Sequence, residues 1–285
     1  MVSEYSEEYA EIDGRIFLQA QLLLPQGNNP TLSKVIATLV FHVQHKLRAM
    51  LYHKTNYLKV EDFIVNNSAE LGNTKATIPH ELFYEFEAFL FQTKSSLDMT
   101  IKILEHLFPS TFKVDTFSNK GIKLISNLEA YKKRIPKQLR KIIDNEDRLN
   151  LAIKYRNETI DTIIKILEDG RAAWLCKAID TRDTVSHYRG SFSLGEYAIE
   201  KVGDDFKVAL PKVMDVYPRY FLENTYKNCI EFIQDFMCLF IELWLPPLFS
   251  IAKADDSNPT LRIWRESNLA SAKYIKFTLG SRPWV

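Results

Sequence analysis

The chain has 285 residues, 46% of them hydrophobic and 26% charged, with a net charge of +1. This is ample material for a core and fits one large domain or two modest ones. The near-zero charge excludes a global field that would draw in nucleic acid or acidic lipid, so any polyanion site must be a local patch.

Residues 1–13, MVSEYSEEYAEID, are acidic and lack the basic start and apolar run of a signal peptide. The first predicted helix spans 31–53, with Ile36, Val40, Val43, Leu47 and Met50 or Leu51 at helical period, and Thr31 or Ser33 as cap. A turn-rich piece containing NNSAELGNTKA follows. Pro79 then opens a long helix ending before Pro109, with a stripe through Phe83, Leu90, Leu97, Ile101, Leu104 and Phe108.

Residues 121–143 read as a helix broken at Pro136, and 147–168 as another. Asp169-Gly170 interrupts the pattern before a further helical stretch from Ala172. The period then changes: YAIEKV, GDD and FKVAL predict two short strands around a tight turn, with Phe206, Val208 and Leu210 alternating. Pro211 and Pro218 frame a loop, and a last helix runs from about Tyr220 to Leu245. Its apolar run, 230–249, is interrupted by Glu231, Asp235 and Glu242, which predicts a buried helix rather than a membrane span. The tail from Lys253 is polar, with Arg262, Trp264 and Arg265 among its larger side chains. The expected architecture is all-α: a helical bundle over 1–285 as a single domain, with a small β-hairpin after the 172–187 stretch.

Cys176, Cys229 and Cys238 have neither metal nor redox spacing, which points to a reduced, cytoplasmic setting. His42 and His45 are three apart, but no third ligand at a suitable offset completes a metal set. Glu87, Lys94 and Asp98 read as a helix-stabilising surface network, or else as carboxylates that orient an Arg from a facing helix. No phosphate-cradling Gly loop, GxSxG elbow or zinc-protease motif occurs, which disfavours nucleotide hydrolases, serine hydrolases and zinc proteases. YKKRIPKQLRKI, Tyr131 to Ile142, is the strongest basic run. Lys132, Lys133 and Arg140 are its candidate phosphate contacts; the plainer reading is a solvated face, since the acidic DNED follows at once.

The stretch TRDTVSH, Thr181 to His187, carries the sharpest signal. On a helix, Leu175, Ala178, Arg182 and Val185 share one face, so Arg182 stands on an apolar stripe where an uncompensated charge is costly. A snorkelling Arg or one paired to a buried carboxylate is the plain alternative. Five positions on one ideal helix set side chains about 140° apart. Convergence of Arg182 with His187 therefore needs the helix to end before His187 or a second chain to complete the site. RAMLYH, Arg48 to His53, repeats the Arg-to-His spacing, but its Arg falls beside Gln44, His45 and Tyr52, off the apolar stripe, and reads as a solvated face.

Arg182-Asp183-Thr184-Val185-Ser186-His187, late in a helical protein, resembles the motif of the HEPN superfamily (higher eukaryote and prokaryote nucleotide-binding). That motif is an Arg, four to six residues, then a His, with Asn, Asp or His favoured directly after the Arg. Asp183 fits; Ala49, after Arg48, does not. The stretch FEAFLFQTKSSLD, Phe86 to Asp98, also looks like the long first-half helix of HEPN-like bacterial proteins. The resemblance covers roughly residues 80–250 and leaves the 31–53 helix as an addition packed onto it.

The resemblance implies a metal-independent endoribonuclease in a toxin–antitoxin, phage-defence or RNA-processing role, with no cofactor. Its implied partners are RNA, an antitoxin protein and a second copy of the chain in a homodimer. His187 would be the general acid/base, Arg182 the electrostatic clamp, and Asp183 the residue positioning or tuning one of them. The product would be a 2′,3′-cyclic phosphate. The alternative is a HEPN-like module without catalysis, binding RNA, a nucleotide or a protein; near-neutral charge favours it. A helical interaction protein with an accidental motif stands third.

Overall fold

A computed structural model of the chain describes residues 30–73, 80–107, 116–117, 119–134, 146–186, 198–203, 205–209, 212 and 216–244. These residues are overwhelmingly helical, with one two-stranded sheet among them, as the sequence patterning predicts. The elements are α1 (Pro30–Asn66), α2 (Ser68–Asn73), α3 (His80–Leu107), α4 (Ile122–Lys132), α5 (Glu146–Gly170), α6 (Cys176–Ser186), β1 (Ala198–Val202), β2 (Asp205–Ala209) and α7 (Pro218–Trp244). None of the helices among the described residues is long and apolar enough to cross a membrane.

Three points differ from the sequence reading. Helix α1 continues 13 residues past His53, because its buried face does not stop there: Lys54, Tyr57, Glu61 and Ile64 extend the same 3.6-residue period. Two of those four are charged, so the apolar stripe breaks while the helix does not. Second, Asp169-Gly170 ends nothing. The chain stays helical to Gly170 and passes through a π-helical turn, Arg171–Leu175, into α6. A π turn accommodates an extra residue within a continuing helix. Pro218, expected in a loop, instead opens α7, where its fixed φ suits a first helical position.

The chain divides into two compact units. The first combines the described residues within 30–45, 96–173 and 230–244. Its described core includes Val40 and Val43 of α1, Leu97 and Ile101 of α3, Leu124 and Leu128 of α4, Ile163 and Leu167 of α5, and Ile233 and Phe236 of α7. Helices α4 and α5 pack on each other. Before α4 the chain makes a left-handed turn at Lys120 (φ 53°) and Gly121 (φ 82°). The carbonyl of Lys120 accepts a hydrogen bond from Arg171 Nη1 at 2.5 Å. Phe117 is buried edge-on against Phe232, and its backbone N–H donates to Asp98 Oδ1 at 2.6 Å.

The second unit combines Lys46–Ser95 and Trp174–Cys229. Tyr57 of α1, Phe86 of α3 and Phe221 of α7 form a chain of aromatic contacts, 6.2 and 5.7 Å between ring centroids. Full burial of such side chains is worth roughly 1.5–3 kcal/mol each. The hairpin β1–β2 pairs Ile199 with Val208 and Lys201 with Phe206, and packs against α2. Gly203, at φ 68°, starts the two-residue connection, where a left-handed residue matches strand twist.

Candidate functional site

Arg182 sits in the second unit on α6. Its helix face is as the spacing predicts: Leu175, Ala178 and Val185 are buried, as is neighbouring Thr181. The Arg182 side chain is 21% exposed and its Nε is buried, while Nη1 lies 3.0 Å from Asp183 Oδ1. The carboxylate it meets there is that of the adjacent residue, itself 46% exposed. Asp98, one of the acids considered as an orienting group for Arg182, accepts a hydrogen bond from the Phe117 N–H. His187 lies outside the described residues, so only Arg182 and Asp183 of the three motif residues have described geometry.

Lys132 and Lys133 are in the first unit, where they line a cleft of about 490 Å³ with Glu129, Asn157, Asp161 and Ile164. The two lysines face two carboxylates, and Lys132 Nζ contacts both oxygens of Asp161 at 2.5 and 2.6 Å. The cleft therefore presents little net positive charge. Arg140, the third basic residue of that run, lies outside the described residues. His42 and His45 are both exposed on α1.

The second Arg-to-His stretch departs from the sequence reading. Gln44 is buried and Arg48 half-buried, so this is not a wholly solvated face; Tyr52 and His45 are its exposed members. His53 Nδ1 donates to Glu85 Oε2 at 2.7 Å, and Asn56 Nδ2 donates to Glu85 Oε1 at 3.3 Å. With Glu85 ionised, the proton of a neutral imidazole is held on Nδ1, which leaves Nε2 as the basic nitrogen. His53 remains 22% exposed.

From the residue after His53 onward, α1 carries charges on its buried face, a charged seam. Lys54, 8% exposed, places Nζ 4.4 Å from the centroid of Tyr226. Glu61, 1% exposed, accepts from Arg219 Nε at 2.6 Å, and Arg219 also pairs with Asp62. Burial raises the Glu61 pKa, only partly offset by the Arg219 hydrogen bond and charge. Burial pushes the half-exposed Arg219 the other way, toward a lower pKa, but its bonds to Glu61 and Asp62 outweigh this and hold it charged. The sequence signal for this seam was two charges at core positions of a helix whose apolar stripe had apparently ended.

Comparison with protein-family models, with curated proteins and with solved structures finds no match to this chain.

Proposed function

We propose that the protein is a HEPN-like, metal-independent endoribonuclease. The observation that carries this reading is Arg182: a guanidinium with a buried Nε, on the apolar face of α6, in contact with the Asp183 that follows it in the RDTVSH motif. A charge kept at such a position is stabilised by a ligand's opposite charge more strongly than one in open water.

RNA supplies its own nucleophile, the 2′-hydroxyl. In this mechanism an imidazole, able to take up and give back a proton, moves the protons, and an Arg stabilises the charge gathering on the phosphorane oxygens. His187 takes the first role and Arg182 the second, with Asp183 aligning the guanidinium fork. Attack of the 2′-oxygen on phosphorus releases a 5′-hydroxyl and leaves a 2′,3′-cyclic phosphate. The dimer and the antitoxin partner belong to this proposal, as does a toxin–antitoxin or defence setting.

The test is cleavage of single-stranded RNA in EDTA by wild type, Arg182→Ala and His187→Ala. Each substitution should lower the rate by about 10²-fold or more. Wild-type rates in a folded variant remove that residue from the chemistry.

The neutralised cleft favours a second reading, a HEPN-like module that binds without cutting. Lys132 is already engaged by Asp161, so the described basic surface offers few contacts for the phosphates of a long RNA. Stoichiometric binding of a short RNA or nucleotide, with no product in the same EDTA assay, selects that reading.

A further inference from the structure

Cleavage of the kind proposed needs two proton transfers on opposite sides of the phosphorus: one from the attacking 2′-hydroxyl, one to the departing 5′-oxygen. A single imidazole cannot face both at once, so the second transfer falls to the His187 of a second copy or to another residue of the same chain. The unit that carries Arg182 also holds an oriented imidazole, His53. Its Nδ1–H is bonded to Glu85 at 2.7 Å, and Asn56 fixes the other oxygen of the same carboxylate. A carboxylate that holds Nδ1–H sets the tautomer, fixes the ring plane and stabilises the imidazolium formed when Nε2 takes a proton. The side chain is exposed enough to be reached, at 22%, and its partner is covered to a similar degree, at 23%, so the pair is not a loose surface contact.

We infer that His53, oriented by Glu85 and Asn56, is a second acid–base residue of this protein, exchanging a proton through Nε2 with an RNA 2′-hydroxyl or 5′-oxygen. The step balances without any further reactant. If His53 is the base, Nε2 accepts the 2′-hydroxyl proton as the 2′-oxygen bonds to phosphorus and the bond from phosphorus to the 5′-oxygen breaks. The opposite acid then protonates the leaving oxygen. Glu85 and Asn56 act through His53 and are positioning residues.

This inference rests on the ribonuclease reading, and the experiment separates the two. Cleavage of a mixed-sequence single-stranded RNA oligonucleotide in EDTA is measured for wild type, His53→Ala, His53→Asn and His187→Ala, with thermal melting as the folding control. Asn can still donate to Glu85 but cannot carry a proton to or from substrate. Both His53 variants should therefore lose about 10²-fold or more in rate, and free imidazole should restore part of the activity of His53→Ala. A structural role would leave His53→Asn active and His53→Ala indifferent to imidazole; either result overturns the inference while the role of His187 stands. Loss and imidazole rescue at His53, together with wild-type rates in His187→Ala, support the inference and remove the His187 assignment. A wild type that cleaves nothing overturns both.

Discussion

Glu61 is 1% exposed and salt-bridged, yet its pKa is raised, because the loss of water around a carboxylate outweighs what a half-exposed Arg219 returns. The sign has a consequence for stability. A carboxylate whose folded pKa lies above its unfolded value binds its proton more tightly in the folded state. Its contribution is most favourable below the unfolded value and is lost as pH rises through the folded one. Glu61→Gln removes that dependence. The melting temperature of the variant relative to wild type should therefore climb as pH rises from about 4.5, the ordinary range of a Glu carboxyl, toward neutrality. Melting curves across this range check it, and a relative melting temperature that falls with pH contradicts the assignment. Arg182 is the other residue at which a local rule is broken. Its place on an apolar face was legible from Leu175, Ala178 and Val185. Its pairing with Asp183 was not, because an adjacent acid on a helix points about 100° away unless the long Arg side chain folds back to it.

Helix α1 shows why periodicity underestimates an element. From Ala37 to Leu51 its buried face is mainly apolar and the helix is obvious. Beyond His53 the same face carries Lys54 and Glu61, whose compensation comes from Tyr226 and Arg219, the latter 158 residues away. No local window contains those partners. The π turn at Arg171–Leu175 was invisible for a related reason: Asp169-Gly170 signals a break, but burial of Trp174 and Leu175 and the Arg171 bond to Lys120 keep the chain helical through it. The turn those bonds secure depends on Gly121. A Cβ there would sit 3.0 Å from the Phe117 ring at a φ of +82°, so both sterics and backbone oppose it. Gly121→Ala should destabilise the protein by about 1–3 kcal/mol, read as a lower midpoint of urea unfolding. An unchanged midpoint means the turn relaxes freely.

At the scale of the molecule, a net charge of +1 and a basic run partly spent on Asp161 would limit how RNA, the proposed ligand, is held. Binding of single-stranded RNA should show a shallow salt dependence, a log–log slope of roughly −2, corresponding to about three phosphates. Asp161→Asn frees Lys132 and should steepen that slope by about 0.7. Fluorescence anisotropy titrations over a salt series measure both; a steep wild-type slope, or one indifferent to Asp161→Asn, places the RNA contacts elsewhere. The sequence by itself determined the helical class, the hairpin at Ala198–Val202 and Asp205–Ala209, and the face on which Arg182 stands. Each of these follows from spacing within one element, where backbone period alone decides which side chains share a side. Tertiary structure alone decided that α1 reaches Asn66, that Lys132 is taken by Asp161, and that His53 is oriented by Glu85. These depend on partners 29 to 158 residues apart, and a buried charge reveals its partner only when the chain has brought the two together.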